Sequence, residues 1–295
     1  MSRPGLRRLL EQAYRRYDHR FVDPDPLQFV RAHEDAADRE VVGLIASSLA
    51  YGNVHQIKRS VARVLELLGA RPARAVRRLD PRTVARSLAG FRHRFNDERD
   101  VACLLYFVRQ VLESHGSLEA FFAEGHATGA VHVGPALASF SSRVLALDHA
   151  GFYGRGELPR EAGVRFFLPS PEDGSACKRL NLFLRWMVRR QGVDLGVWSR
   201  VAPAALIIPV DAHIHAIARR VGLTRYRSPG WPMALDITAH LRRLCPADPV
   251  KYDFALHRLG LFGKHDEIAA LALSHPVPRR APRVRRRETA DARYR

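Results

Sequence analysis

Lys178 and Asp211 are the two residues whose types and surroundings invite chemistry. Four lysines, at positions 58, 178, 251 and 264, stand against 44 arginines. For surface charge the two residue types are nearly equivalent, but only lysine offers an amine that can shed its proton and attack carbon, because a guanidinium stays charged at any usable pH. A chain that writes almost every cation as arginine yet keeps a lysine at the start of Lys-Arg-Leu-Asn-Leu-Phe-Leu-Arg-Trp marks Lys178 as a candidate nucleophile. Residues 208–215 read Ile-Pro-Val-Asp-Ala-His-Ile-His, which puts Asp211 between a Pro-Val step and a new apolar stripe. An aspartate there caps the helix that follows. Backbone N–H groups and the positive helix end favour the ionised form of such a cap. The same anion can stabilise a developing cation at a sugar carbon or steer a proton to and from an amine.

The elements that must hold these side chains are helical nearly everywhere. Val54, Ile57, Val61, Val64, Leu65 and Leu68 mark one stripe, and Ile214, Ile217, Ala218 and Val221 mark another, both at i, i+3, i+4, i+7 spacing. Lys178 opens a helix predicted over about Cys177 to Arg189. Leu180, Phe183, Leu184 and Met187 form its core stripe, and Lys178, Arg185 and Arg189 fall on the opposite, basic side. A solvated helix face explains the same pattern. Gly69 and Gly222 end two helices, Asp248-Pro249 reads as the start of another and Gly260 as its stop. No internal repeat and no strand pattern emerges, so the expected fold class is all-α. Residues 150–175 carry glycine and proline and predict a subdomain break within one helical unit, residues 1–275. Residues 276–295 hold three prolines and eight arginines against Glu288 and Asp291, the composition of a disordered basic tail.

The whole chain has 295 residues, 46% hydrophobic content and a formal net charge of +18. The first two numbers allow a sizeable core. The third implies an acidic partner, most simply nucleic acid. The first twenty residues lack the apolar stretch of a signal peptide, and the apolar run from Val41 to Ala50 is broken by Ser47 and Ser48 and too short to span a bilayer. No membrane role is expected, and the predicted location is cytoplasmic, at the nucleoid. Cys103, Cys177 and Cys245 are too widely spaced for a zinc or iron–sulfur motif.

The lysine-led helix followed by Pro-Val-Asp-x-His-x-x-x-x-x-x-Arg, together with Leu-Ala-Tyr-Gly-Asn-Val over residues 49–54, resembles the helix-hairpin-helix (HhH-GPD) base-excision DNA glycosylases, as a bacterial branch whose irregular hairpin and 33-residue separation of Lys178 from Asp211 resemble the archaeal 8-oxoguanine glycosylases. The similarity covers most of residues 25–262. It implies two helical subdomains of that type, acting as a monomer on double-stranded DNA with a damaged base and needing no metal or organic cofactor. The implied activity is that of a DNA N-glycosylase with AP lyase chemistry. In this likeness Lys178 is the Schiff-base nucleophile and Asp211 its catalytic carboxylate. Tyr51 and Asn53 line the base pocket, as does Asp253 in a late helix, with His257 where the archaeal branch has an aromatic. Arg179, Arg185 and Arg189 would contact the DNA. The chain departs from the family's Leu-Pro-Gly-x-Gly-x-Lys hairpin, having Leu-Pro-Ser-Pro-Glu-Asp-Gly-Ser-Ala-Cys-Lys over residues 168–178.

Two other readings compete. Asp-Ala-His-Ile-His also resembles the metal-binding strand end of amidohydrolases, yet on a helix His213 and His215 lie about 200° apart and cannot share a metal. A non-catalytic nucleic-acid-binding protein on the same fold is the other alternative. Phe91-Arg92-His93-Arg94-Phe95-Asn96 interleaves aromatic and basic residues in a manner suited to nucleic acid, although a packed loop accounts for it as well. His33 and His55 have no companions at ligand spacing.

Overall fold

The computed structural model describes residues 4–261. Its helices in chain order are α1 (Pro4–Arg16), α2 (Leu27–Arg31), α3 (Ala36–Ser48), α4 (Val54–Leu68), α5 (Pro72–Arg77), α6 (Pro81–Ser87) and α7 (Glu98–His115). They continue with α8 (Leu118–Glu124), α9 (Gly134–Leu145), α10 (Ala150–Tyr153), α11 (Lys178–Val188), α12 (Ala212–Arg220), α13 (Trp231–Arg242) and α14 (Asp253–Leu261). The fold is mostly helical. One hydrophobic cluster runs through it from Leu6 to Leu259, and Leu158, Val164 and Phe167 from the irregular stretch between α10 and α11 join it. The basic segment 276–295 lies outside the described residues.

Among the described residues sheet structure, absent from the sequence pattern, is confined to a hairpin of two-residue strands, β1 (Arg92–His93) and β2 (Asn96–Asp97). They pair antiparallel with Arg92 opposite Asp97 and His93 opposite Asn96. Strands this short leave no alternation to read. Polar anchors hold the hairpin: Asn96 Nδ2 donates to Asp100 Oδ2 and to the Gly163 carbonyl, each at 2.8 Å. Asp97 and Asp100 form the capping box that starts α7. The turn between the strands carries Arg94 at φ 55°, and both Arg94 and its neighbour Phe95 are exposed there.

Helix α11 runs through the centre. Every residue from Leu180 to Val188 on it is buried, and it packs along α3. Gly43 of α3 makes that approach possible, since a Cβ there would sit 2.8 Å from Met187 Cε and 3.3 Å from the Phe183 ring. This enclosure corrects the expectation of a basic outer face. Arg185 and Arg189, read from the sequence as DNA contacts, are 3% and 2% exposed. Both guanidiniums pair with Asp194; Arg185 also pairs with Asp253, and Arg189 with Asp248. A buried cation needs such partners, and they lie in segments that helical periodicity does not connect.

The last described helix also differs from expectation. It starts at Asp253, after turns closed by Lys251 N–H to Asp248 O and Asp253 N–H to Val250 O, because the Asp248 carboxylate serves Arg189 instead of a helix end. Gly260 lies inside α14. Its role is close packing: a Cβ there would lie 2.9 Å from Ile217 Cδ1 and 3.1 Å from His213 Cβ, both on α12.

Candidate active site

The two close approaches at Gly43 and Gly260 bring three helices around one cavity of about 530 Å³. Lys178 enters from the first turn of α11, Asp211 from the cap of α12 and His257 from the middle of α14. Tyr51 and Gly52 from the α3–α4 connection and Pro24, Asp25 and Pro26 from the segment before α2 complete the wall. The charged side chains lining the cavity are Asp25, Asp211 and Asp253 against Lys178, Arg185 and Arg258. Among the described residues three anions meet three cations, so this lining is formally balanced inside a chain of net charge +18. The excess positive charge lies elsewhere on the protein.

Lys178 Nζ donates to the Ala50 carbonyl at 3.0 Å, at the end of α3. Asp211 caps α12 as its position predicts: Oδ1 accepts from Ile214 N–H at 2.8 Å. Its other oxygen, Oδ2, lies 3.2 Å from His257 Nε2. Burial opposes the carboxylate charge, but the His257 hydrogen bond, the charge of Lys178 and the Ile214 amide help to outweigh it. Together they hold Asp211 well below the usual carboxylate range. The His257 ring stands edge-on to His213 with centroids 5.1 Å apart.

Tyr51 links the cavity to an aromatic and cationic rim. Its hydroxyl has two acceptors within reach of its one proton, the His93 carbonyl at 2.8 Å and Asn96 Oδ1 at 2.6 Å, and burial pushes its pKa up to about 12, so it remains a donor at neutral pH. Phe166 contacts the Tyr51 ring at 4.8 Å between centroids, and Phe95 stacks nearly parallel to Tyr51 at 6.4 Å. Arg179 lies over Phe166, 3.9 Å from the ring centroid, and donates to the Phe166 carbonyl. Burial pushes its pKa down to about 10, which leaves it charged at neutral pH. Phe95 is 68% exposed, with Arg94 over its ring.

The structure thus brings Lys178, Asp211, Tyr51, Asp253 and His257 to one cavity. Asn53 is not among them: it is exposed and its side chain caps α4 by accepting from His55 N–H at 2.9 Å. Arg179 belongs to the rim, and Arg185 is part of the cavity floor through its pairing with Asp253. Sequence reasoning missed Asp25 and Arg258, which meet across the chain with 3.5 Å between Asp25 Oδ2 and Arg258 Nη2. Nothing in the local pattern around either residue points to the other.

His213 and His215 diverge: His215 Nε2 lies 3.0 Å from the Arg227 carbonyl, while His213 faces His257. Among the described residues no group of three or more histidine, cysteine or acidic side chains is placed to hold a metal ion, and no helix is long and apolar enough to cross a membrane. The profile of a family described as a protein of unknown function (DUF2400) matches residues 25–262. No curated protein and no solved structure matches the chain.

Proposed function

We propose that this chain, which belongs to the DUF2400 family, is a DNA repair glycosylase with lyase activity, built on helical subdomains of the HhH-GPD type. The observation that carries the reading is the meeting of Lys178 and Asp211, 33 positions apart in sequence, at one charge-balanced cavity. A balanced cavity suits a neutral, polar ligand such as a nucleobase, while phosphates stay with the basic exterior. A base reaches such a cavity only by leaving the stack. Tyr51 and the rings of Phe95 and Phe166 offer π-faces beside the entrance, on which unstacked bases can rest.

In the proposed reaction the Lys178 Nζ lone pair bonds to C1′ as the C1′–N bond breaks. The bonding electrons leave with the base, which takes up a proton. The Asp211 carboxylate offsets the positive charge that develops on the sugar, and the proton that the attached nitrogen must lose goes to the departing base. Opening of the C1′–O4′ bond gives an imine, and loss of a 2′ proton then expels the 3′ phosphate by β-elimination. An oxidised purine such as 8-oxoguanine is the proposed lesion class. The protein is proposed to act as a monomer at the nucleoid.

Incubation with duplexes carrying 8-oxoguanine, uracil, an alkylated purine or an abasic site, in the presence of borohydride, tests the reading. Reduction of the imine should leave a stable protein–DNA adduct through Lys178 on at least one lesion. Duplex binding with no adduct and no released base across the panel would assign the chain to the non-catalytic class.

A further inference from the structure

We infer that His257 is a positioning residue for Asp211: its Nε2–H holds the second carboxylate oxygen in place and keeps the anion from closing onto the Lys178 amine. The inference rests on the reaction proposed above, but its structural half can be tested without DNA.

The geometry assigns each atom a role. Asp211 Oδ1 is occupied by the Ile214 amide, so only Oδ2 remains to face the cavity, and there it meets His257 Nε2 at 3.2 Å. A carboxylate accepts, so Nε2 must carry the hydrogen. Nδ1 of the same ring is enclosed and has no hydrogen-bond partner among the described residues. Nε2 is therefore the atom through which the ring meets Asp211, and the edge contact with His213 holds the ring in this orientation.

Lys178 sits close enough for its charge to help keep Asp211 ionised. Even so, its hydrogen bond goes to the Ala50 carbonyl, and among the described residues it closes no ion pair within 4.0 Å. A tight Lys–Asp pair would hold the amine in its protonated, non-nucleophilic form. By occupying Oδ2, His257 competes with that pairing. The other ionisable groups around the ring are His213 on α12, Asp25 before α2, and Asp253 and Arg258 on its own helix. Asp253 is tied to Arg185, and Arg258 approaches Asp25, so neither substitutes for His257 at Asp211.

Two variants test the assignment. His257→Phe removes the donor and keeps a ring; His257→Gln keeps an N–H at the same reach and does not titrate. The Asp211 carboxyl signal is followed by NMR against pH in the DNA-free protein, and the rate of borohydride trapping is followed on the responsive duplex. In His257→Phe the Asp211 carboxyl should titrate at a higher pH than in the parent, and trapping should slow on the order of a hundredfold with unchanged duplex affinity. His257→Gln should restore most of both. Identical Asp211 titration in parent, Phe and Gln chains would overturn the inference. Absence of any adduct from the parent chain would instead defeat the glycosylase reading, and the titration would still decide whether His257 holds Asp211.

Discussion

Lys178 Nζ and the carbonyl oxygen of Ala50 lie 3.0 Å apart, joining the first turn of α11 to the end of α3 across 128 positions of sequence. The contact fixes where the amine sits at the cavity wall. Replacement by arginine keeps the positive charge and the helix start but removes the only kind of cation that can deprotonate and form an imine. In Lys178→Arg, borohydride trapping and strand cleavage should disappear while duplex affinity stays within a factor of about three, as judged by single-turnover cleavage beside a binding titration. Excision at the parent rate would make the lysine a structural hydrogen-bond donor and nothing more.

Asp211 has two roles that one substitution separates. Asparagine caps almost as well as aspartate, so Asp211→Asn should keep the fold and slow the chemical step strongly. Its stability should nevertheless respond to pH. The folded carboxylate titrates below its unfolded value of about 3.9, so its charge adds stability that is fully present above that pH. The contribution declines as pH falls from about 4 through the lower folded value. Urea midpoints of parent and Asp211→Asn chains should therefore differ at neutral pH and converge on acidification. A constant gap across that window would show that the charge contributes nothing to folding.

The buried pairs of Arg185 and Arg189 with Asp194, Asp248 and Asp253 belong to the interior. Asp194→Ala leaves two enclosed guanidiniums short of an anion, which should cost about 3–5 kcal/mol of stability. Arg185→Leu should be destabilising too, since it strands Asp253. Chemical denaturation measures both. If Arg185→Leu were as stable as the parent and instead weakened duplex binding, Arg185 would be a phosphate contact after all.

Phe95 offers the opposite case, a large ring that the fold leaves 68% exposed. Phe95→Ala should change stability by less than about 0.5 kcal/mol. If the ring stacks on a base, the same change should weaken binding to damaged duplex by about 1–3 kcal/mol. Equal affinity of both chains on every lesion duplex would remove Phe95 from the interface.

The net charge of +18 makes a further prediction about undamaged DNA. Affinity should fall steeply with salt, and deletion of residues 276–295, which carry eight arginines, should flatten the plot of log K against log salt by several units. Fluorescence anisotropy at a series of salt concentrations gives the slope directly. Salt-independent binding would contradict a phosphate-dominated interface.

What the sequence determined by itself was local or compositional. Helix stripes at Val54–Leu68 and Ile214–Val221 follow from residues three and four apart. Asp211 as a cap follows from its place before the second stripe, and Lys178 stands out because lysine is scarce. Each of these depends on neighbours within a turn or on counts over the whole chain. Tertiary structure decided which way those side chains face. Helix α11 is wrapped on all sides, so its arginines turn inward to acids at 194, 248 and 253, and its lysine meets the end of α3. His257 reaches Asp211 only because Gly260 lets α14 press against α12. Asp25 joins the cavity from the far end of the chain. Such contacts depend on how helices cross at close range, and residues dozens to hundreds of positions apart share no period that would reveal them.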